Sequence, residues 1–267
     1  MNSGGIELSI LLPAFVAGLI VLSTHVPLGQ QVLRRGIVFI DLAIAQVAGL
    51  GVTIAGASGS DPHGWTVQIA ACGAALIGAL LLTWTEKNWP EVQEALIGVL
   101  FVAAACVELL LLANNPHGGE HLKDLLTGQI LWVSIGSLWP IALFYAAALA
   151  IWFGLRERLG QVGFYVLFAL VVTQSVQLVG VYLVFASLIV PALAARRFAP
   201  RLALWVGYGV GVAGYVLGLL VSSLMDLPTG ATIVVTLIAA FVVSVAVSAV
   251  APRTLRAEPA GEPITVH

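Results

Sequence analysis

Long runs without Asp, Glu, Lys or Arg make up most of this 267-residue chain. A further apolar stretch, 95–113, is interrupted only by Glu108. The uncharged runs occupy residues 8–33, 42–60, 62–85, 125–155, 159–195, 202–225 and 227–252. A membrane-spanning helix needs about 20 mainly apolar residues. The pattern therefore predicts an all-α integral membrane protein with about eight transmembrane helices, one of them broken or re-entrant.

Only 9% of the residues are charged and the mean hydropathy is +1.05, whereas soluble domains carry roughly 25% charged residues. Lipid must therefore be the solvent for most of the chain. The net charge of −2 and the lack of a basic tract argue against a nucleic-acid partner. We expect one permease domain over 1–250, followed by a disordered cytoplasmic tail over 251–267, which contains three prolines.

The positively charged residues indicate how the chain is oriented. Lys and Arg are retained in cytoplasmic loops, and ten of the eleven cations here fall in alternate loops. Lys123 is the exception. The asymmetry predicts an N-terminus outside, a C-terminus in the cytoplasm, and external loops around 58–64, 114–124 and 226–229.

The run 159–195 begins and ends beside arginines of the same predicted side, so the chain must cross and return within 37 residues. Two full crossings need about 40 residues plus a turn. A full helix followed by a shorter or broken one, near Gly180 or Pro191, satisfies this limit better than one long tilted helix, the alternative. Because broken helices are tolerated where they line protein or a cavity, Gly180, Ser187 and Pro191 are candidates for a pathway or a dimer interface.

Ionisable side chains inside a membrane are costly and are the first candidates for function. Asp41, with Gln46 five residues later, is a candidate cation-contacting carboxylate at a transport pathway. The alternative is a carboxylate that pairs with Arg34 and Arg35 or caps its helix. Glu108 has two interpretations as well, contact with the pathway or extension of the side chain toward the outer membrane surface.

His117, Glu120 and His121 form the one cluster of metal-ligand residue types, in a Gly-rich segment predicted to face outside. His and carboxylate ligands suit zinc, manganese or iron. The alternative is that these polar residues serve solubility alone. The sequence has no G-x-x-x-x-G-K-[ST] motif, so we expect no ATP hydrolysis by this chain. The energy source then lies in a partner or in an ion gradient.

Several segments together resemble the metal-type ABC permeases, the family of zinc, manganese and iron importers. The similar segments are Leu33-Arg34-Arg35 with Asp41 and the small residues up to Gly51, the stretch 179–198, Leu126-Thr127-Gly128-Gln129, and Asp226-Leu227-Pro228-Thr229-Gly230. The most specific is 179–198, with its Val-Gly start, an apolar run, Ile-x-Pro-Ala and a terminal Ala-x-Arg-Arg. The resemblance extends over essentially the whole chain.

This resemblance implies a homodimeric permease of a prokaryotic inner membrane. It implies two partners, an ABC ATPase subunit inside and an extracytoplasmic metal-binding protein outside. A divalent metal would be the transported substrate, with no permanently bound cofactor. Arg156, Glu157, Arg158 and Gly160 would contact the ATPase.

The sequence departs from the family in two places. Ala45 stands where relatives commonly have a His four residues after the Asp of the second helix, and the cytoplasmic segment 155–162 is shorter than usual. Two other functions remain open at this level: an ion-gradient-driven secondary transporter, and a membrane scaffold that transports nothing.

Overall fold

The computed structural model describes residues 8–57, 64–112, 126, 128 and 130–250, and within these residues all regular structure is helical. Eight α-helices are present in this part of the chain, joined in places by short 3₁₀ turns. They are α1 (Leu8–Arg35), α2 (Ile40–Ala57), α3 (Trp65–Asn88), α4 (Gln93–Leu112), α5 (Ile135–Val179), α6 (Val181–Ala195), α7 (Pro200–Met225) and α8 (Thr229–Val250). The predicted all-α membrane fold is confirmed.

Helix α5 is a helical hairpin that crosses the membrane twice. Its backbone leaves the helical region at Gly160 (φ 58°, ψ −160°), and its two halves, Ile135–Leu155 and Arg158–Val179, are each long enough to span. A straight helix would separate Tyr145 from Ser175 by about 45 Å, yet their side-chain hydroxyls share a hydrogen bond. The two halves therefore pack antiparallel. The described residues contain seven helical segments long enough to span a membrane, together with the shorter apolar helices α2 and α6.

The break predicted within 159–195 lies at Gly180. This residue has φ 83° and ψ 160°, and it ends α5 and begins the 15-residue helix α6. Pro191, the other candidate for the break, lies inside α6. A left-handed backbone is accessible to glycine without a Cβ clash, so the chain can reverse here in a single residue. The alternative of one long tilted helix is wrong.

Three of the cation-bearing segments meet at one end of the bundle. Arg35, at the end of α1, lies 3.9 Å from the carboxylate of Glu86 in α3. The same guanidinium lies 4.4 Å from the ring centroid of Phe164, just after the turn in α5. The ends of α1 and α3 and the turn of α5 are therefore on the same side of the molecule.

Helix α7 packs onto its neighbours through two G-x-x-x-G motifs, Gly207–Gly211 and Gly214–Gly218. A Cβ on Gly211 would lie 2.7 Å from Leu22 of α1, whereas one on Gly218 would lie 2.5 Å from the Cα of Ile233 in α8. Glycine at such positions lets helices approach closely in a membrane. The first motif therefore contacts α1 and, through Gly207, α6, whereas the second contacts α8.

Candidate translocation site

A cavity of about 650 Å³ opens between α2, α4, α6 and α8. Its walls are almost entirely apolar, and Gln46 and Tyr182 supply the polar side chains among the residues that line it. The lining residues are Leu42, Gln46, Phe101, Ala105, Leu109, Leu126, Val181, Tyr182, Phe185, Ala186, Val190, Ala231, Val234, Val235 and Ile238. The broken segment thus places the first turns of α6 against this cavity.

Asp41 lies in the first turn of α2 and is 1% exposed. Neither of its carboxylate oxygens has a hydrogen-bond partner among the described residues. Arg35 instead forms its ion pair with Glu86, so pairing of Asp41 with the arginines, one alternative from the sequence, is wrong. The backbone N–H groups of Asp41 itself and of Leu42 approach the carboxylate without completing a hydrogen bond, and the amino end of a helix favours negative charge there. This placement fits the alternative that Asp41 caps its helix. A buried carboxylate is nevertheless costly unless a cation or a proton joins it.

Glu108 is also 1% exposed, and α2 holds both of its carboxylate oxygens. Gln46 Nε2 donates a hydrogen bond to one oxygen, and Thr53 Oγ1 donates to the other at 2.9 Å. Extension of this side chain toward the outer surface, the alternative drawn from the sequence, is therefore wrong. Gln46 and Thr53 lie seven residues apart, almost two helical turns, and so share one face of α2.

The structure does not bring Asp41 and Gln46 to the same place. Five residues correspond to a rotation of about 140° around the helix, and Gln46 is engaged with Glu108. Ala45, at 2% exposed, shares the face of Asp41 instead. Gln46 therefore does not substitute on that face for the imidazole that resembling sequences carry there.

Ser187 and Pro191 lie on the side of α6 that faces α7. The Ser187 hydroxyl is 2.9 Å from the Tyr215 hydroxyl, and both side chains are fully buried. The carbonyl of Pro191 would lie 3.3 Å from a Cβ on Gly207. The residues of α6 that line the cavity are others, and a role of Ser187 and Pro191 in a pathway or dimer interface stays a prediction.

The segment predicted to contact an ATPase forms the turn of α5. Arg158 and Gly160 are exposed there, and the helix continues through Arg156 and Glu157. The other predicted metal-ligand group, His117, Glu120 and His121, lies outside the described residues. Within the described part of the chain, no three His, Cys, Asp or Glu side chains converge as a metal site would require.

Thr53 is the residue of this region that sequence reasoning missed, together with the link between Glu108 and Gln46. The signal that could have found it is local. Gln46 and Thr53 are polar residues at helical spacing on an α2 that is apolar after Asp41, and α4 contains one carboxylate in its apolar core. Gln46 and Thr53 precede Glu108 by 62 and 55 positions in the sequence. That the three side chains meet is visible only in the folded chain.

The helices are apolar, one of them is interrupted beside a cavity, and two carboxylates are buried among them. These features define a polytopic membrane protein of the transporter type. Comparison with known families is more specific. The model of the ABC 3 transport family matches residues 7–159 and 141–248. The chain therefore belongs to this family and is a permease of the metal-type ABC transporters.

Individual relatives agree with this assignment. The chain is 28% identical over 228 residues to the manganese transport system membrane protein MntC of Halalkalibacterium halodurans, covering 78% of this chain and 76% of MntC. It is 25% identical over 256 residues to the high-affinity zinc uptake system membrane protein ZnuB of Haemophilus influenzae, covering 88% and 96% of the two chains.

The fold is shared with a solved structure, PsaBC from Streptococcus pneumoniae in complex with Fab. The two chains superimpose with a TM-score of 0.70 over 90% of each, at 22% identity. Family membership selects the ABC permease over the ion-gradient-driven carrier that the sequence left open. Curated permeases for manganese, zinc and iron are all among the relatives.

Proposed function

We propose that this chain forms the translocation pathway of an importer for a divalent transition metal, zinc, manganese or iron, as a homodimer driven by a separate ABC ATPase. Asp41 is the observation that carries the proposal. A fully buried carboxylate with two unpartnered oxygens at the start of α2 offers hard oxygen ligands to a divalent cation.

The homodimer is proposed from the open side of the cavity. Tyr182, Val235 and Ile238 line it and are 53%, 64% and 47% exposed. A second copy placed on this face would close the cavity, and α6 of each protomer would border a shared pathway. The break at Gly180 then lies beside that pathway, where irregular backbone is tolerated in a membrane.

We propose that the protein lies in a prokaryotic inner membrane. The end of the bundle that contains Arg35 and the turn of α5 then faces the cytoplasm. Cations retained on the cytoplasmic side support this orientation. Arg158 and Gly160 are then available to an ATPase subunit, and the opposite end of the bundle is available to an extracytoplasmic metal-binding protein. The group His117, Glu120 and His121 is proposed as a contact for the arriving metal at that outer end.

The experiment is uptake of ⁵⁴Mn, ⁶⁵Zn and ⁵⁵Fe by proteoliposomes that contain the permease co-purified with its ATPase and receive metal-loaded binding protein. We expect ATP-dependent accumulation of one metal above the others. A permease that co-purifies with an ATPase but accumulates none of the three contradicts metal import. A chain that binds no ATPase and transports nothing would be the scaffold considered from the sequence.

The dimer face has its own test in a chain from which Cys72 and Cys106 have been removed. Val235→Cys lies on the open side of the cavity, and Val99→Cys is a matched control, since both valines are 64% exposed and Val99 does not line the cavity. We expect an oxidant to cross-link two copies through position 235 but not through position 99. Equal cross-linking at both positions contradicts this interface.

A further inference from the structure

Glu108 is buried in the last third of α4 and held from α2 by two donors of different chemistry. Gln46 supplies an amide N–H and Thr53 supplies a hydroxyl at 2.9 Å, one to each carboxylate oxygen. The Gln46 amide N–H can only donate, so it requires an acceptor oxygen on Glu108. The Thr53 hydroxyl can donate or accept, and it therefore also suits an ionised carboxylate, in which both oxygens are acceptors.

The position of Glu108 connects it to the cavity. Gln46 lines the cavity and also binds Glu108. Ala105 and Leu109, on either side of Glu108 in α4, line the cavity as well. The Gln46 side chain therefore links the carboxylate to the space between α2, α4, α6 and α8.

Glu108 and Asp41 occupy different positions in the bundle. It contacts α2 at residues that follow Asp41 by five and twelve positions. At 1.5 Å per residue these contacts lie about 8 and 18 Å further along the helix axis. Asp41 and Glu108 therefore lie at two different depths of the bundle, on different faces of α2.

We propose that Glu108, positioned by Gln46 and Thr53, is a second contact for the transported divalent cation, nearer the outer end of the pathway than Asp41. The proposal rests on the metal-import function given above and adds a residue to it. An intramembrane carboxylate is the expected marker of an ion path, and carboxylate and amide oxygens are ligands that hard divalent cations accept. The cation would reach Glu108 when the Gln46 side chain turns away.

The rival explanation is that Glu108 only ties α4 to α2. The two explanations differ in what they require of the carboxylate. A structural tie needs both contacts with α2 but no charge. A glutamine at position 108 can keep both, because its amide oxygen accepts from Gln46 and its NH2 group can donate to the Thr53 hydroxyl. A cation contact needs the negative charge, which aspartate keeps and glutamine lacks.

The test uses the permease with its ATPase in proteoliposomes that receive metal-loaded binding protein. It measures the KM for uptake of ⁵⁴Mn, ⁶⁵Zn and ⁵⁵Fe together with the melting temperature of the transporter. Glu108→Gln removes the charge, Glu108→Asp keeps it, and Thr53→Val removes one positioning donor. Glu91→Gln is the matched control, because Glu91 is exposed in the turn before α4 and away from the cavity.

We expect Glu108→Gln to raise the KM by about tenfold or more at an unchanged melting temperature, and Thr53→Val to raise it less. Glu108→Asp should remain within about threefold of the wild type, and Glu91→Gln should equal it. The glutamine variant keeps the length of the side chain and loses its charge, whereas the aspartate variant keeps the charge on a side chain one methylene shorter.

Two outcomes overturn the inference. The first is a Glu108→Gln transporter with the KM of the wild type. The second is a lower uptake together with a lower melting temperature in both the Gln and the Asp variant, which would mean that Glu108 only ties α4 to α2. If Asp41→Asn abolishes uptake while Glu108→Gln leaves it intact, the proposed function survives and this inference fails. A wild-type transporter that moves none of the three metals overturns both.

Discussion

Gly128 packs its backbone against the peptide bond between Val179 and Gly180. A Cβ on Gly128 would lie 2.2 Å from the carbonyl carbon and oxygen of Val179 and 2.4 Å from the nitrogen of Gly180. The segment before α5 thus contacts the chain at the point where α5 breaks into α6. Leu126 of the same segment lines the cavity with Val181 and Tyr182, so this contact bounds one end of the cavity.

Gly128→Ala should therefore destabilise the protein and lower uptake. The left-handed backbone at φ 67° alone costs an L-residue roughly 1–2 kcal/mol, and the overlap with the Val179 carbonyl adds to this. Gly136→Ala is the control, because a Cβ there meets nothing within 4 Å. Melting temperature in detergent distinguishes them, and equal values for the two variants would contradict the packing described.

The turn of α5 gives a second prediction. Gly160, at φ 58° and ψ −160°, occupies a region that is essentially restricted to glycine. Gly160→Ala should distort the hairpin between the two halves of α5 at a cost of about 1–3 kcal/mol. If this turn contacts the ATPase, the variant should also co-purify less ATPase than the wild type.

Gly154→Ala is the matched control for this turn, since it makes the same change six residues earlier in regular helix with open space around it. ATPase recovered per permease, measured on affinity-purified membranes, is the readout. Full ATPase recovery with Gly160→Ala, together with reduced thermal stability, would mean that the turn is needed for the fold and not for the partner.

Arg35 provides a third prediction, about which of its two contacts matters. Its ion pair with Glu86 is long, at 3.9 Å, and partly exposed, and such pairs contribute about 0–1 kcal/mol. Its stacking over Phe164 adds a cation–π contact of about 0.5–2 kcal/mol. We expect Glu86→Gln to change the melting temperature little and Arg35→Ala to lower it clearly. A double-mutant cycle of Arg35→Ala and Glu86→Gln checks this. If Glu86→Gln lowers the melting temperature more than Arg35→Ala does, the ion pair contributes more than the contact with Phe164, which contradicts the prediction.

The helices and the break in them were predictable because each follows from a local limit. Bilayer thickness sets helix length, so uncharged runs located the spans. The 37 residues of 159–195 could not hold two full crossings, which required an interruption near Gly180 or Pro191. The structure has it at Gly180. Cation placement likewise anticipated that the end of α1 and the turn of α5 lie on the same side.

The candidate site was only half predictable. Asp41 and Glu108 were recognisable because ionisable residues are rare in apolar runs. Their surroundings were not, since Arg35 could reach either Asp41 or Glu86 and the choice depends on how α1, α2 and α3 pack. Gln46 was grouped with Asp41 because the two are near in sequence, whereas helix rotation directs Gln46 toward Glu108.

The central claim is that Asp41 contacts the transported metal. Asp41→Asn keeps the size of this buried side chain and removes its charge. Asp226→Asn is the control, because it makes the same change at an exposed residue. Asp226 has a left-handed backbone, which asparagine tolerates. The measurement is cellular zinc, manganese and iron by elemental mass spectrometry in a deletion strain that expresses each variant under metal limitation. We predict that wild type and Asp226→Asn restore one metal and that Asp41→Asn, present at the same level in the membrane, does not. Restoration of that metal by Asp41→Asn would contradict the account.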